Sequence, residues 1–239
     1  GLVAIVVLLP KPAAAPRKAS LGAGFAALSR PPLLLLSAAA LFYNFGFFTL
    51  LAYSPYPLEA AAYAAGIEFG AHELGLVFFG WGLALAVTSV LAAPKLTRRF
   101  GLIPVLSVTL ALLAACLVTM ALGAQRLALL VTAVVVAGLF LGILNTALTE
   151  AVMEATDLPR NIASSTYSGV RFLGGAIAPA VSGAIADALG AGGPYWFAAG
   201  AVVLSMIILV SGHGLLTRVT TPHATQQEEA SAITAGDEV

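Results

Sequence analysis

LALLVTAVVVAGLFLGILNTALT, residues 127–149, is the stretch that decides how this chain is read. It carries no formal charge, and at 1.5 Å per residue a helix of that length reaches about 34 Å, enough to cross some 30 Å of hydrocarbon. Its apolar residues run on without the two-residue alternation that a membrane β-barrel strand needs. Working outward, five more segments pass the same test: Pro32–Tyr53, Leu74–Ala93, Gly101–Ala124, Asn161–Ala186, interrupted by Arg171, and Tyr195–Leu216. The fold class that follows is an all-α membrane protein with six transmembrane helices.

Composition supports this reading. Of 239 residues 60% are apolar and 9% charged, with a net charge of zero and a mean hydropathy of +0.99. A soluble domain is nearer half apolar and one quarter charged, and a disordered chain is poorer still in apolar residues. Scattered bases with no net charge provide no footprint for nucleic acid. The lone cysteine, Cys116, cannot form an intramolecular disulfide, and there is no Cys/His cluster to hold a metal. No cofactor is implied.

The first nine residues, GLVAIVVLL, are too short to span and lack the basic start and cleavage site of a signal peptide. They read as the end of a preceding transmembrane helix, which makes the chain the back part of a longer protein. Residues 10–31, rich in Pro and Gly and bearing four bases, read as a cytoplasmic linker. Residues 32–217 form the six-helix domain, and 218–239 are expected to be a disordered cytoplasmic tail. Nine bases (Lys11, Arg17, Lys18, Arg30, Lys95, Arg98, Arg99, Arg160 and Arg218) fall on one side of the six spans, against Arg126 alone on the other. Because basic loops are retained inside, both ends of the six-helix unit are expected in the cytoplasm of a cell-membrane protein. Tyr53, Tyr56, Tyr195 and Trp196 fall at the opposite helix ends, where an aromatic belt is expected.

Polar and small residues gather on stripes. Gly138, Gly142, Asn145 and Thr149 share one helix face, as do Ser164, Ser168, Arg171, Gly175, Pro179 and Ser182. Tyr43 and Asn44 lie among Phe42, Phe45, Phe47 and Phe48. Glycines and serines at such spacing serve helix packing without any further function, whereas amides in lipid need a partner, either a neighbouring helix or a cavity. Arg171 is the sharpest feature, since a guanidinium deep in a bilayer costs about 2.5 kcal/mol or more. Three readings are open: snorkelling to headgroups, an ion pair with Glu150, or a direct role toward an anionic or proton-coupled site. Pro179 removes a backbone hydrogen bond and favours a bend in its helix.

Two other classes fit the sequence poorly. An intramembrane serine protease would need Ser182 and His213 to meet, but along their helices they differ in depth by about 20 Å. A channel would need a filter of carbonyls or like charges, and every apolar segment here is full length.

The wording LFYNFGFFTLLAYSPYPL, LGLVFFGWGLALAVTSVLAAPKLTRRFG and GILNTALTEAVMEATDLPRNIASSTYSGVRFLGGAIAPAVSG resembles the bacterial drug:proton antiporter branch of the major facilitator superfamily, over helices seven to twelve. KLTRRFG is similar to the family's loop motif, with Arg98 where its aspartate would be, so Lys95, Arg98 and Arg99 are candidate gating residues. GAIAP with Gly183 resembles an antiporter motif of the other half, marking Gly175, Pro179 and Gly183 as conformational candidates. The resemblance implies one six-helix half of a secondary transporter that exports lipophilic small molecules or drugs against protons, with a missing amino-terminal six-helix half and the lipid bilayer as partners. A symporter or facilitator of the same family is the alternative mode. The cavity wall would come from Tyr43, Asn44, Phe47, Asn145, Thr149 and Arg171. No deep carboxylate is present to carry the proton, so the coupling residue is expected in the absent half.

Overall fold

A computed structural model describes residues 21–216, and nearly all of them are helical. In chain order the helices are α1 (Leu21–Ala27), α2 (Pro31–Tyr53), α3 (Pro55–Ala64), α4 (Ala71–Val87), α5 (Ala93–Phe100), α6 (Leu102–Leu122), α7 (Leu127–Glu154), α8 (Arg160–Leu189) and α9 (Gly193–Ser211). Among the described residues six helical runs are long and apolar enough to cross a membrane, α4 and α5 counting as one run from Ala71 to Phe100. Every expected span is present. Their ends move where local chemistry dictates. α8 starts at Arg160 because Pro159, extended at ψ 132°, closes off the chain before it. α9 stops at Ser211, with Gly212 at its cap, so the last residues expected in that span fall beyond it.

Two short helices lie outside the spans. α1 sits within the stretch read as linker and packs on α8, where Thr166 Oγ1 donates to Gly24 O at 3.5 Å. α3 follows α2 immediately, its break set by Pro55 and Pro57.

The second span holds a feature that composition does not announce. Between α4 and α5, Thr88–Ala92 form one π turn, with Ala93 N–H bonded to Thr88 O five residues back. Pro94 has no N–H for the carbonyl four residues before it and its ring crowds that position, so the wider turn relieves the clash. Thr88 Oγ1 donates to Ala84 O at 2.9 Å and so supplies a donor to a carbonyl beside the widened turn.

Neighbour relations run α8, α2, α9, α6, α7, α4. Exchanging the first three spans with the last three maps this series onto itself: α2 with α7, α4 with α8, α6 with α9. Spans one and four cross in opposite directions, so the bundle has the form of an inverted repeat. The two end members are also the least buried, 17% of the best window in the second span and 22% in α8, against 44 to 56% elsewhere. The open faces therefore belong to a symmetry-related pair. Small residues set the closest approaches. A Cβ on Gly174 would meet Leu41 O, and on Gly138 and Gly142 would meet Trp81 O and Leu85 O, so α8 and α7 press onto α2 and α4 only because those side chains are absent.

Candidate functional site

Three spans converge on a polar cluster inside this apolar frame. Arg171 lies eleven residues into the thirty-residue α8, about 16 Å from its start. Its Nη1 donates to Asn145 Oδ1 on α7 at 2.9 Å, and Tyr43 OH on α2 donates to the same oxygen at a longer 3.4 Å. The guanidinium carbon lies 5.7 Å from the Tyr167 ring centroid and 5.1 Å from that of Phe172, within cation–π range. One amide oxygen thus gathers a cation and a phenol from two other helices.

The cluster borders an open cleft of about 670 Å³ lined by Ser89, Pro94, Asn145, Thr146, Thr149, Glu150 and Arg171. Its walls are the π turn, the start of α5, the last turns of α7 and the middle of α8. Ser89 and Thr146 share a hydroxyl–hydroxyl hydrogen bond across α7 and the π turn. Thr149 Oγ1 turns back to Asn145 O at 2.7 Å. Three polar atoms around this cluster are buried with no hydrogen-bond partner among the described residues: Arg171 Nε, Tyr167 OH and Asn44 Oδ1. An unsatisfied donor on a guanidinium in a low-dielectric wall is costly, and a ligand acceptor or water would relieve it.

The residues singled out from sequence separate into groups. Asn145, Thr149 and Arg171 line the cleft. Tyr43 is fully buried and reaches it only through its hydroxyl. Asn44, also buried, donates Nδ2 to the backbone carbonyl of Arg171 at 2.9 Å and so fastens α2 to α8 instead of facing the cleft. Phe47 does not line it either; its ring stacks toward Trp81 at 5.9 Å and Tyr43 at 6.5 Å, an aromatic bridge from α2 to α4. The Glu150–Arg171 ion pair is corrected: the guanidinium bonds to Asn145, and Glu150 stands exposed on the cleft rim. Asn145 lies five residues, about 7.5 Å, deeper along α7, and so meets a side chain from mid-α8 first.

Among the gating candidates, Lys95, Arg98 and Arg99 are exposed on α5; Arg98 Nε donates to Pro94 O at 3.3 Å and Arg99 lies over Phe100 at 5.2 Å. Gly175 faces the Phe48 ring, where a Cβ would stand 2.8 Å away. Pro179 and Gly183 border a second cavity near the other end of α8. Ser182 Oγ donates to Ala178 O at 2.6 Å, the ordinary arrangement of a serine inside a helix.

The sequence reading missed Ser89, Pro94, Thr146 and Trp81. A signal existed for two of them. Together with Thr88, Ser89 and Pro94 interrupt an apolar span within two turns, which is where a helix departs from regular bonding.

Comparison with known proteins gives two findings. The family model described as Major Facilitator Superfamily matches residues 56–235. The multidrug efflux protein YfmO of Bacillus subtilis (strain 168) is 40% identical over 223 residues, covering 93% of this chain and 54% of the relative. The chain therefore spans about half the length of the curated relative it matches.

Proposed function

The chain belongs to the major facilitator superfamily, and on that ground we propose that it is the carboxy-terminal half of a proton-coupled exporter of lipophilic small molecules. The observation that carries this reading is the cleft in which Arg171, Asn145 and Thr149 line one wall of an otherwise apolar bundle. A secondary transporter of this kind holds its substrate near the midplane, between two repeats, and exposes it alternately by rocking one against the other. A wall with few fixed hydrogen bonds beside broad aromatic surface favours loose selection by shape and hydrophobicity. The efflux role named for the 40% identical relative supports the same direction of transport.

In this reading α4 and α8, the open-faced pair, meet the missing amino-terminal half. The π turn places a compliant joint in the cleft wall, tied to α7 by the Ser89–Thr146 contact. The basic ends of the spans face the cytoplasm of a cell-membrane protein. The proton passes through a carboxylate of the other half, since Glu150, the carboxylate among the residues lining this cleft, is exposed.

The test is accumulation of a lipophilic dye in cells expressing this chain alone, or together with the amino-terminal half of the matched relative, with and without a protonophore. Energy-dependent efflux only when both halves are present supports the reading. Saturable, gradient-driven efflux by the chain alone would show that six helices are a complete carrier and overturn it.

A further inference from the structure

Two hydrogen-bond donors on one face of α8 are buried and unpaired. Arg171 Nε and Tyr167 OH both lack a partner among the described residues, and their side chains leave the helix four residues apart, about one turn. Tyr167 is 2% exposed, so it turns into this bundle and not toward the open side of α8 that awaits the missing half. Its hydroxyl stands close to the Arg171 guanidinium and the Thr149 hydroxyl, short of a hydrogen bond to either. A guanidinium offers no acceptor, and Thr149 Oγ1 is engaged with Asn145 O at 2.7 Å. Thr149 and Arg171 also line the cleft of about 670 Å³, so the two donors lie just behind its wall. We propose that they form a niche for a carbonyl oxygen, through which the cleft selects neutral lipophiles that carry a carbonyl over hydrocarbons of the same shape. This deepens the reading of the cleft as the substrate site and rests on it.

The chemistry calls for an acceptor, and for a neutral one. A carbonyl oxygen has two lone pairs, accepts the Nε–H and the phenolic O–H together, and brings no hydrogen of its own to a place that already has two. Each donor left unpaired in a low-dielectric wall carries a desolvation cost, which one shared oxygen removes. A carboxylate meets the same donors but also meets Glu150, exposed in the same cleft, which opposes a second negative charge. The third unpartnered atom, Asn44 Oδ1, is itself an acceptor and sits on α2, where the Nδ2 of the same amide bonds Arg171 O, so it adds no donor to the niche. Arg171 is half-buried and holds Asn145 through Nη1 alone, which leaves its Nε edge to turn toward an oxygen entering beside Thr149.

The probes are tritiated 9-fluorenone and fluorene, which share one three-ring frame and differ in the carbonyl. Binding is measured to the purified 239-residue chain in detergent with no gradient present, so the result does not depend on transport, which the efflux experiment decides separately. Fluorenone is expected to bind saturably and about tenfold tighter than fluorene, and Tyr167→Phe to cut that preference about fivefold while fluorene binding stays unchanged. Infrared difference spectra add a readout that packing alone does not move. The carbonyl stretch of bound fluorenone lies below its value in hexane and shifts back toward it in Tyr167→Phe. Tyr195→Phe, which removes a hydroxyl bonded to Ser54 Oγ at the other end of the bundle, leaves affinity and stretch as in the parent. Absence of saturable fluorenone binding overturns the proposal, as does equal affinity for the two probes or a stretch that Tyr167→Phe leaves unmoved. Fluorene-9-carboxylate competing better than fluorenone overturns the preference for a neutral group. If Tyr167→Phe fails to fold, Arg171→Lys, which keeps the charge and removes Nε, is read by the same affinity ratio and stretch, with the same outcomes deciding.

Discussion

Two tyrosine-centred polar clusters hold this bundle together, and they are built on opposite terms. At one end, Tyr195 OH donates to Ser54 Oγ at 2.9 Å and Tyr53 OH to Ala191 O, with the two rings edge to face at 5.4 Å. Tyr195 and Ser54 are fully buried, and none of these three side chains leaves a buried polar atom unpartnered among the described residues. In mid-bundle, Tyr43, Asn145 and Arg171 form a second cluster, but its shortest contact places a charge on an amide, and Arg171 Nε has no partner among the described residues. A satisfied buried network fixes packing, whereas one left incomplete beside a cleft costs stability that function must justify. The first is a fastener, the second a working surface.

The comparison can be broken by changing one member at a time. The largest effect is expected from Asn145→Leu, which strips the guanidinium of its acceptor: stability falls by about 2 kcal/mol, and dye efflux with both halves present falls at least tenfold. Thermal unfolding of the purified chain, with efflux measured at matched protein level, checks both. Arg171→Met comes next and should leave the unfolding midpoint near that of the parent, since it removes the charge along with its unmet donor. The double variant Arg171→Met with Asn145→Leu should then be more stable than Asn145→Leu alone, a coupling that an unfolding cycle reads directly. Tyr195→Phe should do the reverse of Arg171→Met, lowering stability by about 1 kcal/mol while efflux at matched protein level stays unchanged. The smallest effect belongs to Tyr43→Phe, whose 3.4 Å bond is long: stability should hold within about 0.5 kcal/mol, with a two- to threefold change for some dyes only.

The spans were legible because a bilayer demands long apolar runs, and LALLVTAVVVAGLFLG can satisfy its backbone in no other way. Arg171 and Asn145 were legible as costly residues, but not their pairing, which depends on how α7 and α8 are rotated about their axes and lies 26 residues apart in the chain. Tyr53 and Tyr195 show the limit most clearly. A tyrosine at the end of an apolar run suits an interfacial belt and a buried fastener equally well; Tyr56 and Trp196 are exposed as a belt requires, while Tyr53 and Tyr195 turn inward. Glycines at 138 and 142 share a stripe with Asn145, yet the stripe divides, its glycines seating α4 and its amide facing the cleft. Periodicity gives the face, and only packing against a neighbour says what that face meets.

If the mid-bundle cluster handles substrate, Arg171→Met removes the side chain on which that handling depends. The measurement is initial dye efflux from energised cells carrying both halves, normalised to membrane protein and accompanied by the unfolding midpoint of the variant. Efflux should fall about tenfold, the equivalent of about 1.4 kcal/mol, with the midpoint unchanged. Efflux at the parental rate would contradict it, because Arg171 and Asn145 would then be as purely structural as Tyr195 and Ser54.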